Sequence, residues 1–420
     1  MNHITAKTCL AGSLAFTLTS FTATADWPQY RGANTDGIST EAVRLPWAGA
    51  PKHVWTTPTT SGLSSFSVGG GKAFTVVKEG TSEVTIALDA NTGKQLWKAT
   101  TGNATYQGGG DSGTPDNKGG DGPRSTPAVD GSRVYVYSAD LVLHCLDANS
   151  GKSVWTKDIM TEFGGRNITW KSAISPVIDG NLVYVAGGGA GQSALAFNKT
   201  SGQLVWKALD DKITHATPAI GTIQGVRQVI FFMQSGLVSL DAATGNQLWR
   251  FAFPFKVSTA ASPVICGNIV YCSAGYGVGG GACEVSKGGA GFSVKELYKV
   301  PFDQKIANHW STPVYKNGYL YGMFSFKKYG TGPMKCVDVK TGQIKWEQPN
   351  FGAGNVILAG NNLLALADDG QLVAVEASPN GYKELARTKA VDGKCWSTPA
   401  LSDGRVYIRS TKQGVCLDLR

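Results

Sequence analysis

Residues 87–97 read Ala87-Leu88-Asp89-Ala90-Asn91-Thr92-Gly93-Lys94-Gln95-Leu96-Trp97. The order is a small residue, an apolar residue, Asp, two residues, Thr, Gly, three residues and Trp. The phrase, with Asn for Asp and Ser for Thr in places, starts again at Cys145, Ala196, Ser239 and Cys336. Those copies end at Trp155, Trp206, Trp249 and Trp346. Degraded copies start at Ala282 and Ala374, and a last one, Cys416-Leu417-Asp418, is cut short at Arg420. Starts lie 38 to 58 residues apart, in the range of a four-stranded propeller blade, which takes about 40 to 50 residues.

The phrase has a physical reading. Asp and Thr side chains bond nearby backbone N–H groups and fix a turn, and the Gly takes positive φ. The small residue leaves room for a Trp between neighbouring blades. A second phrase precedes each copy: Ser/Thr-Pro, an apolar strand, an Asp-Gly-type turn and a Val/Tyr-rich strand. It occurs at Thr126-Pro127, Ser175-Pro176, Thr217-Pro218, Ser262-Pro263, Thr312-Pro313 and Thr398-Pro399, with turns such as Asp130-Gly131, Asp179-Gly180 and Asp403-Gly404. These turns suit tight hairpins. No convincing helical period separates the units, which argues against parallel α/β.

The expected architecture is all-β: an eight-bladed β-propeller of four-stranded antiparallel blades. The eighth copy lacks its fourth strand. His53-Val54-Trp55-Thr56-Thr57 reads as that strand, so an N-terminal strand is expected to pair beside residues 413–418 and close the ring. The expected division is a signal peptide over 1–25, an N-terminal extension over 26–52 and the propeller over 53–420.

Composition agrees. In 420 residues there are 54 Gly, 16% charged and 10% aromatic residues, as suits many tight turns and a large core. Lys7, the apolar stretch Cys9–Phe21 and Ala23-Thr24-Ala25 read as an export signal cleaved after Ala25. A periplasmic or secreted bacterial location is therefore expected. No later segment is apolar and long enough to span a membrane. Net charge is +9, or +8 once Lys7 is removed, but no Lys/Arg run interleaves with aromatics, which disfavours nucleic acid.

Set beside known families, the phrase at Ala87, Asp89, Thr92, Gly93 and Trp97 resembles the tryptophan-docking motif of quinoprotein alcohol dehydrogenases. The docking set is then Ala87, Asp89, Gly93, Trp97, Trp155, Trp206, Trp249 and Trp346. The whole mature chain resembles secreted proteins of the pyrroloquinoline-quinone (PQQ)-binding-like β-propeller repeat class. Trp27-Pro28-Gln29-Tyr30-Arg31-Gly32, Gly122-Pro123-Arg124-Ser125-Thr126-Pro127, Trp396-Ser397-Thr398-Pro399 and Cys416-Leu417-Asp418-Leu419 share in the resemblance. The propeller lipoprotein of the outer-membrane barrel-assembly machinery is similar in fold, but its lipid-anchor signal is not found here.

The docking motif implies a fold rather than a chemistry. For a PQQ-dependent alcohol or sugar dehydrogenase, the resemblance implies adjacent cysteines, a Ca²⁺ site of carboxylates and an Asn, and a catalytic Asp. No two cysteines are adjacent, no Cys-x-x-Cys-His occurs, and no metal-ligand spacing stands out. PQQ with Ca²⁺ remains the only cofactor the resemblance offers, and the catalytic residues stay unassigned. Cys145, Cys336 and Cys416 fill the small-residue slot of the repeat. Cys272 and Cys283 are placed to cross-link two strands of blade five in an oxidising compartment.

Residues just before each Ser/Thr-Pro should crowd the channel mouth. Three positions before the Pro stand Arg124, Ala173, His215, Ala260, Trp310 and Trp396, with Lys171 and His309 close by. Arg124, Lys171, His215, His309, Trp310 and Trp396 are the candidate ligand-binding residues. Trp310 and Trp396 would stack on a small-molecule or carbohydrate-like ligand and Arg124 would pair with charge. The same residues would also serve simply to fill the channel and anchor loops. The Gly/Asp-rich insertion over 99–124 and the stretch Asp158–Trp170 are expected on the same face. Three functions are open: a binding scaffold for a ligand or protein partner, a PQQ-dependent dehydrogenase, and an outer-membrane assembly scaffold. Two motif matches are set aside as chance: Gly110-Asp111-Ser112-Gly113 as a protease nucleophile, and Gly275–Gly280 as a dinucleotide fingerprint with no helix after it.

Overall fold

In the computed structural model, Met1 and residues 26–47, 49–104, 122–257, 259–303, 305–324 and 332–420 are described. The export signal, most of the Gly/Asp-rich insertion and Gly110–Gly113 lie outside the described residues.

Eight antiparallel sheets follow one another along the chain. Their innermost strands touch in order from blade 1 to blade 7, and the blade 1 strand touches that of blade 8. The structure is the expected eight-bladed propeller. Blade 8 is shared between the chain ends: Lys52–Pro58 pairs antiparallel with Gln413–Asp418, with Trp55 opposite Cys416.

Within each blade the phrase works as its residues require. Asp89 Oδ1 accepts from the N–H of Asn91 at 3.0 Å, the N–H of Thr92 at 2.9 Å and the Thr92 hydroxyl at 2.9 Å. The pattern repeats at Asp147, Asn198 and Asp241. The small residue pairs directly across from the Trp: Ala87 with Trp97, Cys145 with Trp155, Ala196 with Trp206, Cys336 with Trp346. Each of these Trp residues then reaches the following blade. Trp55 Nε1 donates to Ala90 O at 2.9 Å, Trp97 to Ala148 O at 2.9 Å and Trp206 to Ala242 O at 3.1 Å. The indole lies on the turn glycine of that blade. A Cβ added to Gly93 would sit 2.7 Å from Trp55 Cδ2, and one on Gly151 would sit 2.6 Å from Trp97 Cε3.

Blade 5 departs from the rule. Its third strand runs on through Glu284 to Gly288 and makes no such turn. Trp249 of blade 4 therefore finds no turn carbonyl and donates to Gln228 Oε1 of its own blade at 2.7 Å. Tyr298 takes the Trp slot of blade 5.

Several details differ from expectation. All seven described cysteines are free and buried. Cys272 faces Gly281 and Cys283 faces Val270, so the two are diagonal and the proposed cross-link is not formed. Among the described residues one short helix, Ile159–Phe163, lies between blades 2 and 3, capped by the Asp158 carboxylate. It connects the blades, with Ile159 buried in the core they share and Phe163 edge-on to Phe197 of blade 3. Residues 275–278 form a turn between two strands, as a hairpin loop should.

The N-terminal extension forms a strap across one end of the channel. Trp27 bridges Val68 of blade 1, and Val129 N–H of blade 2 donates to Pro28 O at 2.7 Å. Ile178 N–H of blade 3 donates to Gln29 Oε1 at 2.7 Å, and Ile220 N–H of blade 4 to Thr35 Oγ1 at 3.1 Å. Arg31, buried, donates to Thr312 O and Pro313 O of blade 6, both at 2.9 Å. Ile38–Ser39 adds a parallel fifth strand to blade 7, and Arg44 N–H donates to Leu419 O of blade 8 at 2.8 Å.

Replacing Trp55 by Ala should lower stability by about 3–5 kcal/mol, since a buried indole and its hydrogen bond are lost at the closing blade. Gly93→Val should also destabilise strongly, because Gly93 holds φ +69° against that ring. Denaturant unfolding checks both, and wild-type midpoints would show that the docking contact is dispensable.

Candidate functional site at the channel mouth

In six of the eight blades the innermost strand runs from the Ser/Thr-Pro phrase toward the strapped end. The residues before the phrase therefore gather at the other end. The Ser/Thr hydroxyls of the phrase do not point along the axis. They link blade to blade: Thr398 N–H donates to Ser65 Oγ at 2.8 Å, Ser65 N–H to Thr126 Oγ1 at 3.0 Å, Thr126 N–H to Ser175 Oγ at 2.9 Å and Ser175 N–H to Thr217 Oγ1 at 3.0 Å. Ser262 N–H continues to Thr312 Oγ1 at 3.0 Å. This partial belt fixes the positions from which the mouth residues project.

The mouth residues are placed by neighbouring backbone. His215 N–H donates to Thr259 O at 2.9 Å and Ala260 N–H to His309 O at 2.8 Å. Blades 4, 5 and 6 thereby hold the two imidazoles in one region. Burial, then the charges of Arg124 and His309, push His215 down to about 3. His215 is therefore uncharged at neutral pH, and Arg124 and His309 lie within its electrostatic reach. Arg124 Nη1 donates to Trp170 O at 2.6 Å. Lys171 is held in an ion pair with Asp140, so its ammonium is already engaged.

The aromatic candidates also meet. Trp310 stacks on Trp396 with ring centres 4.8 Å apart and planes 23° apart, and the His309 ring lies 4.8 Å from that of Trp310. Lys394 Nζ is 4.2 Å from the centre of the Trp396 ring, a cation–π contact. Asn355 Nδ2 donates to Trp396 O at 2.7 Å. Sequence reasoning placed Arg124, Lys171, His215, His309, Trp310 and Trp396 in one group; His215 lies near Arg124 and His309, the His309 ring meets Trp310 and Trp310 stacks on Trp396, while Lys171 pairs with Asp140. It did not find Trp170, Tyr276, Lys394 or Asn355. Trp170 is the last residue of a stretch already marked as non-repeat, which was the available signal. Tyr276 sits in the turn whose glycines drew attention to a false nucleotide motif.

A PQQ-type quinone is flat and acidic, and the resemblance implies a divalent cation beside it. The described residues do not fit that group. They contain no cluster of three or more His, Cys, Asp or Glu that could hold a metal ion. Trp310 stacks on Trp396 and Lys394 lies over the Trp396 ring, so part of that indole is already covered.

A family model described as outer membrane protein assembly factor BamB matches residues 80–321 and 330–417. The chain belongs to this family. The BamB of Moranella endobia is 25% identical over 262 residues, covering 61% of this chain and 64% of the relative. The chain thus spans just under two thirds of that protein. The BamB of Shewanella oneidensis is 22% identical over 296 residues, 67% of this chain and 70% of the relative. A tetrathionate hydrolase of Acidithiobacillus ferrooxidans is 24% identical over 287 residues, 67% of this chain and 49% of the relative. Among solved structures, quinohemoprotein alcohol dehydrogenase from Comamonas testosteroni superposes with TM-score 0.64 at 14% identity, covering 93% of this chain and 80% of that one. BamB from Moraxella catarrhalis gives 0.59 at 14%, covering 89% and 98%. At such identity these two show a shared PQQ-repeat propeller fold and no more. No helix among the described residues is long and apolar enough to cross a membrane. The strap lies before residue 80, outside the BamB-family match.

A histidine kept neutral by burial binds fewer protons folded than unfolded between about pH 3 and 6.5. The stability tied to neutral His215 is therefore present above about pH 6.5 and lost as pH falls toward 3. His215→Gln should flatten that part of the stability profile. Denaturant midpoints across the range check this, and parallel profiles for the two proteins would contradict it.

Proposed function

We propose that the protein is an exported binding propeller whose ligand sits at the mouth lined by Arg124, His215, His309, Trp310 and Trp396. The observation that carries the reading is asymmetry. One end of the channel is crossed by a strap bonded to seven blades, while cations, imidazoles and aromatics from different blades meet at the other. Rigid blades presenting irregular loop residues are a common way to build such a site. The mouth suits a ligand with a negative group and an apolar face: Arg124 and Lys394 supply positive charge, and the Trp310–Trp396 stack supplies an aromatic wall. Export is supported by the leader-like residues before Asp26.

A role in outer-membrane protein assembly is the second reading, favoured by the family match and by relatives described as assembly factors. In that case the mouth and its loops would engage a protein partner. The dehydrogenase reading has only the shared fold behind it.

Anilinonaphthalene sulfonate, which is anionic and flat, is a suitable first probe for the purified mature protein. It should bind at the mouth, and Arg124→Ala and Trp396→Ala should each weaken it about tenfold, a loss near 1.4 kcal/mol. Unchanged affinity in both variants removes the mouth from the proposal. Added PQQ and Ca²⁺ should give no dye-linked oxidation of alcohols or sugars, and turnover would establish the enzyme reading instead.

A further inference from the structure

Trp310 and Trp396 partly cover each other, and two other rings at the mouth are more exposed. Trp170 is 38% exposed and Tyr276 is 40% exposed. Both stand on left-handed backbone, with φ 61° and 62°. That conformation is disfavoured for a bulky residue, and such outliers cluster at ligand clamps.

Neither residue belongs to the repeat. Trp170 ends the stretch between blades 2 and 3, and Tyr276 tips the hairpin Gly275–Gly277 in blade 5. Each ring leans on one of the two imidazoles. Trp170 lies 6.5 Å from His215, and Tyr276 lies 4.9 Å from His309, edge to face. Both loops are tied down. The Trp170 carbonyl accepts from Arg124, and its neighbour Lys171 is ion-paired to Asp140. Gly277 N–H donates to the two Asp303 carboxylate oxygens at 3.0 and 3.1 Å. Two fixed aromatic faces thus flank a pair of imidazoles, with guanidinium and ammonium groups at the same mouth.

We infer that the mouth selects sugars that carry a carboxylate, with Trp170 and Tyr276 as the stacking platforms. The inference rests on the mouth being a ligand site, as proposed above. The chemistry follows from the parts. The C–H faces of a pyranose pack on exposed aromatic rings. The imidazole of His215, kept uncharged by burial, can both donate to and accept from hydroxyls. A carboxylate is met by Arg124 and Lys394.

The test is calorimetric titration of the mature protein with trigalacturonic acid and with the uncharged trisaccharide maltotriose. The acidic trimer should bind and the neutral one should bind at least about tenfold more weakly. Trp170→Ala and Tyr276→Ala should each weaken the acidic trimer about three- to tenfold, as expected for loss of one aromatic contact. Trp170→Phe and Tyr276→Phe should restore most of the affinity, and wild-type thermal midpoints in all four would show that folding is intact. Equal binding of the two trimers, or Ala variants that bind like wild type, would overturn the inference. So would tighter binding of a triglutamate peptide than of the acidic sugar. If trigalacturonic acid fails while the sulfonate probe still binds at the mouth, this inference falls and the ligand-site reading stands. If both fail, both fall.

Discussion

The structure depends on an indole N–H that crosses from one blade to the next. A blade is a twisted four-stranded sheet with two apolar faces, and it can bury neither face alone. The Trp of the fourth strand lies against the following blade and donates to a carbonyl of its Asp-x-x-Thr-Gly turn. The contact needs three things at once: a turn whose carbonyl is held in place, a glycine with no Cβ beneath the ring, and a small residue opposite the Trp. For Trp55 these are the Asp89 turn and Gly93 of blade 1 and Cys416 opposite it in blade 8. The phrase is therefore one interaction written across two blades, which is why its parts recur together.

Such an interaction sets direction as well as contact, since each blade binds the next. A linear array of this kind would end with one unfilled turn and one undocked Trp. The chain resolves this by giving its final sheet a strand from the other terminus. Trp55 docks on Ala90 O like any other, and buried Arg409 adds a second tie from blade 8 to blade 1. It donates to Thr75 Oγ1 at 2.9 Å, Val76 O at 2.8 Å and Thr60 O at 2.9 Å. Burial pulls this guanidinium down to about 10, and it stays charged at neutral pH. The carbonyls and hydroxyl around it offset part of that desolvation.

What was legible in the sequence follows from this. The repeat, the blade count and the closing strand were readable because each depends on residues at fixed spacing in one segment. The mouth was partly readable, since the Ser/Thr-Pro phrase marks where each inner strand begins and so where Arg124, His215, Trp310 and Trp396 must gather. The strap was not readable. Gln29, Arg31 and Thr35 bond to backbone atoms of blades 3, 6 and 4, and a partner that is any carbonyl or N–H leaves no pattern in the sequence. Trp170 and Tyr276 escaped for a similar reason: their positive φ is imposed by surrounding loops. Cys272 and Cys283 misled because sequence proximity within a hairpin does not fix register, and a shift of two positions makes opposite residues diagonal.

The regular and irregular parts of the ring are unevenly distributed. The belt of hydroxyls runs unbroken from blade 8 through blades 1, 2 and 3 to blade 4. Among the described residues it is interrupted at the next step, where Ser262 Oγ is buried without a hydrogen bond, and again around blade 7, where Asn355 Oδ1 and Thr398 Oγ1 are too. The Trp docking rule also lapses here: Trp249 turns back to Gln228, blade 5 uses Tyr298, and blade 7 has Ala386 in the slot. Tyr276, His309 and Trp310 project from this irregular half, and Asn355 holds the Trp396 backbone there. A buried oxygen left without a donor costs about 1–3 kcal/mol, so these lapses oppose stability. In physical terms, half of the ring obeys the repeat closely enough to keep the whole closed, and the other half departs from it where Tyr276, His309 and Trp310 project. That side of the site is thus continuous with the scaffold's defects, and the regular blades are what allow those defects to persist.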